Sequence, residues 1–135
     1  MKIARIRLSS GTTRYAKVEN DACRLLDCAP FPAPSASEEV VALSDATLLA
    51  PVIPRQIVAI GLNYRRHAAE SGMALPKAPL IFVKTPNTVT GSGAPIILPA
   101  MAPDEVDYEC ELVIVIGREA KRVSEETALE YVLGY

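Results

Sequence analysis

The chain has 135 residues, a formal net charge of −2 and a hydrophobic content of 50%. This length and composition allow a globular domain with a core and argue against an intrinsically disordered chain. The basic residues are scattered and Trp is absent, which argues against a nucleic-acid-binding protein. No apolar stretch has membrane-spanning length, and the charged start does not resemble a signal peptide. Three cysteines without metal-ligand spacing, Cys23, Cys28 and Cys110, favour reduced thiols and a cytoplasmic protein.

The first 50 residues predict a small β-rich module. Strands are predicted at residues 2–8, 12–18 and 22–26, and the polar turns between them favour a β-meander. Residues 29–37 hold three prolines and are predicted to be a loop. Residues 38–49 are ambiguous, and we favour a short helix followed by a loop.

A domain boundary is predicted near residue 50, because Pro51 and Pro54 interrupt the chain there. The sequence thus predicts an accessory domain at 1–50 and a second domain at 51–135. In the second domain, Asn63 is a suitable N-cap for a short helix over 64–71. Short apolar runs predict buried strands at residues 56–61 and 80–83 and a short strand at residues 96–98.

The most informative stretch is 107–117, where acidic residues lead into an apolar run that ends at a glycine. The run predicts a strand covered on both faces. Side chains alternate across a strand, so we expect Asp107, Glu109 and Glu111 to share one face. Neighbouring carboxylates repel one another, and a hard cation such as Mg²⁺ offsets that cost. The alternative is a strand end whose charges are solvated.

The sole histidine, His67, lies three residues before Glu70 on the predicted helix, so the two share a face. A carboxylate beside an imidazole orients it and raises its basicity, which suits a general base acting on water. The alternative is an exposed histidine, with Glu70 paired to Arg66. Lys84, at the end of the strand over 80–83, either meets a substrate oxyanion or reaches into solvent.

Residues 124–133 predict a C-terminal helix, with Ser124 as its N-cap and Gly134 in the C′ position. A helix with an apolar last turn usually continues into further structure. We therefore expect the sequence to be the front part of a longer protein.

Several of these segments together resemble the fumarylacetoacetate hydrolase family in order and spacing. The resemblance covers the chain from about Pro51 to its end, and the β-module before it is similar to the small N-terminal domain of many members. The motifs that carry the resemblance are Gly61-Leu62-Asn63-Tyr64 followed by His67 and Glu70, Phe82-Val83-Lys84, Ile97-Leu98-Pro99, Asp107-Tyr108-Glu109-Cys110-Glu111-Leu112, Val115-Ile116-Gly117 and Glu130-Tyr131-Val132-Leu133-Gly134-Tyr135.

The resemblance implies an α+β, mostly β fold, which is the family's mixed β-roll in incomplete form, usually assembled as a homodimer. It implies that Glu109 and Glu111 bind Mg²⁺ or Mn²⁺, together with a third ligand, an aspartate, just beyond the last residue. It places His67 and Glu70 in a water-activating dyad on a mobile lid. It also places Lys84 near the active site.

The implied function is that of a metal-dependent enzyme acting on a pyruvate-like or 2,4-diketo acid, and we favour hydrolysis of a carbon–carbon bond. The first alternative is an isomerase or decarboxylase of the 2-hydroxyhepta-2,4-diene-1,7-dioate isomerase type, in the catabolism of aromatic compounds. A second alternative is a non-catalytic fragment that binds a partner. A third is an α+β domain whose acidic residues are solvated.

Overall fold

The computed structural model describes residues 1–30 and 34–135, so part of the predicted loop over 29–37 lies outside the described residues. The described part is mostly β, as expected, with few helices. The strands are β1 (Lys2–Arg7), β2 (Thr13–Glu19), β3 (Ala22–Leu26), β4 (Ala36–Ala42), β5 (Thr47–Leu48), β6 (Ile57–Gly61), β7 (Leu80–Lys84), β8 (Val115–Ile116) and β9 (Val132–Gly134). The helical elements are the α-helix α1 (Arg65–Glu70) and 3₁₀ segments at Leu43–Asp45, Pro86–Thr88 and Glu125–Tyr131. Among the described residues, none of these helices has the length and hydrophobicity that crossing a bilayer requires.

Strands β1 to β5 form one antiparallel sheet in the order β4-β3-β2-β1-β5. Ala4 lies opposite Ala16, and Ala16 lies opposite Leu25 on the next strand. Gly11, with a φ of 85°, adopts the left-handed conformation in the turn between β1 and β2. The structure confirms the three strands predicted for residues 2–26.

The main cluster of buried side chains among the described residues lies on one face of this sheet. Ile6, Ala16, Cys23 and Leu25 are fully buried. Alternation along β1 and β3 and the register between neighbouring strands bring these four side chains to the same face. Partly buried apolar residues pack against them at the edge of the cluster: Ala4, Leu8, Val18, Val41, Leu43, Ala46 and Leu48. The local strand pattern therefore determines which side chains are removed from water.

The short helix predicted within 38–49 is wrong. This stretch forms most of β4, then the 3₁₀ turn Leu43–Asp45 and the short strand β5. Val40 and Val41 are β-branched residues, and they lie opposite Arg24 and Cys23 of β3. Pairing with β3 gives the backbone its hydrogen-bond partners, whereas a helix of this length is marginal by itself.

The burial of Cys23 predicts a difference in thiol reactivity along the chain. Burial raises the pKa of the Cys23 thiol, whereas Cys110 is exposed. Because the thiolate is the reactive form, we expect iodoacetamide at pH 8 to alkylate Cys23 on the order of a hundredfold more slowly than Cys110. Peptide mass spectrometry of samples quenched at intervals measures both rates. Equal rates in a folded sample would contradict the buried position of Cys23.

Beyond residue 50, the described strands pair two by two. β6 and β7 are antiparallel, with Ile57 opposite Lys84 at one end and Gly61 opposite Leu80 at the other. The strands predicted in this region, at 56–61 and 80–83, are confirmed. Their predicted burial is wrong for both strands: no residue of β6 is buried, and β7 is exposed along its whole length, with Ile81 at 66%. An isolated pair of strands leaves its faces open to solvent.

Two further predicted strands are wrong in whole or in part. Residues 96–98 form no strand, and Ile97 is 88% exposed. In the stretch 107–117, strand pairing is confined to Val115–Ile116, which pairs with β9, and residues 107–114 are irregular. A strand requires a neighbour for its backbone N–H and C=O groups, and β9 is three residues long. The predicted alternation of the acidic residues across a strand therefore does not apply here.

The C-terminal helix predicted over 124–133 is a 3₁₀ helix over Glu125–Tyr131. Ser124 occupies its N-cap position but makes no side-chain capping bond, and Gly134 belongs to β9 and not to a helix cap. None of the residues in this 3₁₀ helix is buried. Without a buried face, little packing favours a regular α-helix at this position.

Candidate active site

Helix α1 carries two of the predicted site residues, His67 and Glu70. The helix is confirmed, and its Ala68 is 1% exposed, so one small buried side chain contributes to docking it. The predicted N-cap is wrong, because Tyr64, and not Asn63, occupies the N-cap position, with extended backbone angles. His67 and Glu70 are three residues apart, so they lie on adjacent turns of the same helix face.

His67 is brought close to one of the predicted metal ligands. Its Nε2 atom lies 3.7 Å from Oε1 of Glu109, which is 42 positions further along the chain. The side chains are 48% and 57% exposed, so solvent screens this pair and its contribution to stability is small. The contact nevertheless places a proton-exchanging nitrogen beside a carboxylate, and this arrangement is available for acid–base chemistry.

Tyr64 forms a second contact between the start of helix α1 and the acidic stretch, which comprises residues 109–112. The backbone N–H of Leu112 donates a hydrogen bond to the Tyr64 hydroxyl, with a donor–acceptor distance of 2.8 Å. Sequence reasoning assigned Tyr64 no role beyond its place in a motif. No sequence signal predicts this bond, because every residue except proline carries a backbone N–H.

The other three predicted site residues are not drawn into this contact. Within the described residues, Glu70 forms no ion pair with His67 or with Arg66. Glu111 is exposed in the irregular stretch. Lys84 ends β7, and its Nζ lies 5.8 Å from the centre of the Phe82 ring, at the outer limit of a cation–π contact.

Glu109 and Glu111 fit part of a divalent-cation site. Their carboxylate oxygens are the donors that Mg²⁺ and Mn²⁺ prefer, and Mg²⁺ is often held by one or two carboxylates and completes its shell with water and substrate. Within the described residues, no three His, Cys, Asp or Glu side chains come together as a metal-binding group. The match to a divalent-cation site is therefore one of donor type and is limited to these two glutamates.

An open cleft of about 380 Å³ borders helix α1 on another side. Residues 60–63, Arg65 and residues 75–79 line it, and Arg65 and Lys77 are its charged side chains. His67 and Glu109 do not line this cleft. Arg65 and His67 are two residues apart on the helix, so their side chains leave it on different sides. The cleft is therefore separate from the His67–Glu109 contact.

Comparison with known proteins assigns both parts of the sequence. Residues 56–135 match the family described as fumarylacetoacetate (FAA) hydrolase C-terminal. This chain belongs to the fumarylacetoacetate hydrolase family. Residues 1–51 match a second description, Rv2993c-like, N-terminal. The resemblance found in the sequence motifs is thereby confirmed.

Two relatives of this chain show which named proteins its sequence is similar to. A fumarylacetoacetate hydrolase domain-containing protein 2 homolog of Dictyostelium discoideum is 50% identical over 95 residues, which cover 70% of this chain and 31% of the relative. A homoprotocatechuate catabolism bifunctional isomerase/decarboxylase of Escherichia coli is 43% identical over 88 residues, covering 63% of this chain and 20% of the relative.

A crystal structure of 5-carboxymethyl-2-hydroxymuconate delta-isomerase from Mycobacterium smegmatis aligns with the whole chain. Its TM-score is 0.83 and its sequence identity 34%, and the alignment covers 52% of that protein. This fumarylacetoacetate hydrolase family chain thus spans about half, or less, of the proteins it matches. The names of the Escherichia coli and Mycobacterium smegmatis proteins describe isomerase and decarboxylase activities, and neither name describes hydrolysis of a carbon–carbon bond.

Proposed function

We propose that this chain contributes to a divalent-metal-dependent isomerase or decarboxylase acting on an unsaturated 2-hydroxy or 2-keto dicarboxylic acid. The observation that carries the proposal is the approach of His67 Nε2 to Glu109, at 3.7 Å, in a member of this family. The activities for which the Escherichia coli and Mycobacterium smegmatis relatives are named support this reaction class. Both reaction types develop negative charge beside a keto or enol group.

In the proposed site, Glu109 and Glu111 hold Mg²⁺ or Mn²⁺ through their carboxylate oxygens. When bound, the ion supplies positive charge that polarises the substrate carbonyl and offsets negative charge developing on its oxygen. The two glutamates orient that charge, and the exposure of both side chains leaves room for water and substrate oxygens around them. The 3.7 Å approach of Glu109 to His67 supports a role for His67 as the proton-transfer group of this site.

His67 is the proposed acid–base group. In its neutral form, Nε2 accepts a proton from one atom of the substrate, and the resulting imidazolium returns it to another carbon, which moves a double bond without loss of mass. Glu109 stabilises the imidazolium while the proton is on the ring. Glu70, on the same helix face, and Lys84, at the end of β7, are the proposed contacts to the substrate's polar and carboxylate groups.

Hydrolysis of a carbon–carbon bond is the second candidate, and the description of the matched family favours it. In that reaction His67 removes a proton from water, which attacks a carbonyl carbon. The two candidates differ in their products. An isomerase product keeps the substrate mass, a decarboxylase releases CO₂, and a hydrolase gives two smaller acids.

The test is an assay of the purified chain with two substrates, each with Mg²⁺, with Mn²⁺ and with EDTA. 2-Hydroxyhepta-2,4-diene-1,7-dioate tests isomerisation, and a 2,4-diketo acid tests hydrolysis of a carbon–carbon bond. Loss of the diene absorbance reports turnover, and mass spectrometry of the products identifies the reaction. We expect turnover only with added metal, and we expect His67→Asn to lower kcat about a hundredfold.

Full activity in EDTA would exclude the metal from the reaction. A His67→Asn variant with unchanged kcat would exclude His67 as the acid–base group. Two smaller acids in place of an isomer would move the proposal to the hydrolase candidate. A folded sample that converts none of these substrates would favour the non-catalytic, partner-binding alternative.

We further propose two structural units, at 1–50 and 51–135, and a homodimeric assembly in the cytoplasm that binds neither nucleic acid nor membrane. The two separate family matches support the division. Exposed apolar side chains on β7 and in residues 112–116 support self-association, because such surfaces usually pack against a partner. Light scattering coupled to gel filtration measures the mass of the assembly.

A further inference from the structure

We propose that Tyr64 is a positioning residue for the proposed metal site, and that its hydroxyl holds the acidic stretch 109–112 against helix α1. This inference rests on the proposed function, because the role assigned to Tyr64 is to orient Glu111 and Glu109. The contact that carries it is the 2.8 Å hydrogen bond from the Leu112 backbone N–H to the Tyr64 hydroxyl.

The position of Tyr64 suits this role. It immediately precedes the first residue of helix α1 and has φ and ψ of −116° and 125°, so it is fixed at a helix boundary. Its side chain is partly covered, because the residue is 41% exposed. The helix boundary thus provides a defined origin from which the phenol reaches the acidic stretch.

The acidic stretch needs such a partner. Residues 105–114, all within the described part of the chain, form no helix or strand, so they lack the ladder bonds that fix a strand in place. The Leu112 N–H belongs to the planar peptide group that joins Glu111 to Leu112. Holding that N–H therefore restrains the backbone of Glu111 directly.

The Tyr64 bond and the His67–Glu109 contact act together. Tyr64 and His67 are three residues apart in the sequence, and so are Glu109 and Leu112. The two contacts therefore tie both ends of one short stretch to both ends of another. Two attachment points define an orientation, whereas a single contact leaves the acidic stretch free to pivot.

The test compares Tyr64→Phe with Tyr108→Phe in the full chain. Tyr64→Phe removes the accepting oxygen and keeps the ring. Tyr108→Phe is the matched control, because Tyr108 immediately precedes the acidic stretch and is 92% exposed. Two quantities are measured: the exchange rate of the Leu112 amide by NMR without metal, and the Kd for Mn²⁺ by calorimetry.

We expect Tyr64→Phe to accelerate exchange of the Leu112 amide about five- to tenfold, since one hydrogen bond is lost. We expect it to weaken Mn²⁺ binding about tenfold, the lower end for residues that orient metal ligands. Tyr108→Phe leaves both values unchanged. Unchanged amide exchange, or unchanged Mn²⁺ affinity, in Tyr64→Phe overturns the inference.

The wild-type chain separates failure of this inference from failure of the proposed function. If the wild type does not bind Mn²⁺, the proposed function fails and the positioning role fails with it. If the wild type binds Mn²⁺ and Tyr64→Phe binds equally well, the positioning role alone fails. Should Tyr64→Phe not fold, a wild-type Leu112 amide that exchanges at the rate of an unprotected amide overturns the inference by itself.

Discussion

Glu109→Gln and Glu111→Gln are each expected to lower metal-dependent kcat/KM by a factor on the order of 10³, because a bound cation contributes several kcal/mol to the stabilisation of developing charge. An amide retains one oxygen donor but loses the negative charge that binds a divalent ion. Glu109→Gln also removes the carboxylate beside His67. The measurements are kcat/KM at saturating Mg²⁺ and Mn²⁺ and the Kd of Mn²⁺ by calorimetry.

Glu119→Gln is the matched control for these variants. Glu119 is exposed and lies beyond β8, outside the contacts of the proposed site. Its substitution removes the same charge from the chain, so an effect of net charge alone appears equally in all three variants. Wild-type metal affinity in both Glu109→Gln and Glu111→Gln would refute the proposed metal site.

The second large effect is expected for Leu25→Ala, which should lower the free energy of unfolding by about 2–5 kcal/mol. Leu25 is fully buried on β3 of the five-stranded sheet, opposite Ala16 and in one cluster with Ile6 and Cys23. Its neighbour Ala16 is too small to fill the space that truncation leaves. The free energy of unfolding is measured by urea denaturation, followed by far-UV circular dichroism.

Leu129→Ala makes the same chemical change at a residue that is 72% exposed. We expect it to alter the free energy of unfolding by less than about 0.5 kcal/mol. Both variants make the same change in composition, so the difference between their free energies of unfolding reports the effect of burial. Equal destabilisation by both variants, or none by Leu25→Ala, would be inconsistent with a core placed on this face of the sheet.

The N-terminal strands were predictable because their signals are local. Alternating apolar residues and short polar turns define β1, β2 and β3 without reference to distant parts of the chain. The stretch 36–48 was not predictable in the same way, because its secondary structure depends on partners. β4 forms against β3, and β5 pairs with β1, about 40 residues earlier in the sequence.

The second half of the chain shows how far an apolar run predicts a strand. The runs at 80–83 and 112–116 have similar composition, yet the first pairs with β6 along its length and the second pairs at two residues. An apolar run indicates a preference for burial and extended backbone. It does not specify whether a neighbouring strand is present to complete the hydrogen-bond ladder.

The candidate site was predictable as a set of residue types and less so as a geometry. Sequence motifs singled out His67, Glu70, Glu109 and Glu111 through their resemblance to a family. Side-chain alternation across a strand does not describe how these residues meet, because residues 107–114 do not form a strand. The approach of His67 to Glu109 and the bond from Leu112 to Tyr64 depend on tertiary contacts that no spacing rule contains.

The two edges of the five-stranded sheet have a consequence for how the chain behaves at high concentration. One edge, β4, carries the consecutive charges of Glu38 and Glu39, and the other, β5, is two residues long. Charged and very short edge strands are poor templates for the backbone of another molecule. Fibril growth by strand addition to this sheet is therefore disfavoured. Replacing Glu38 and Glu39 with valine would remove the charges that protect the β4 edge.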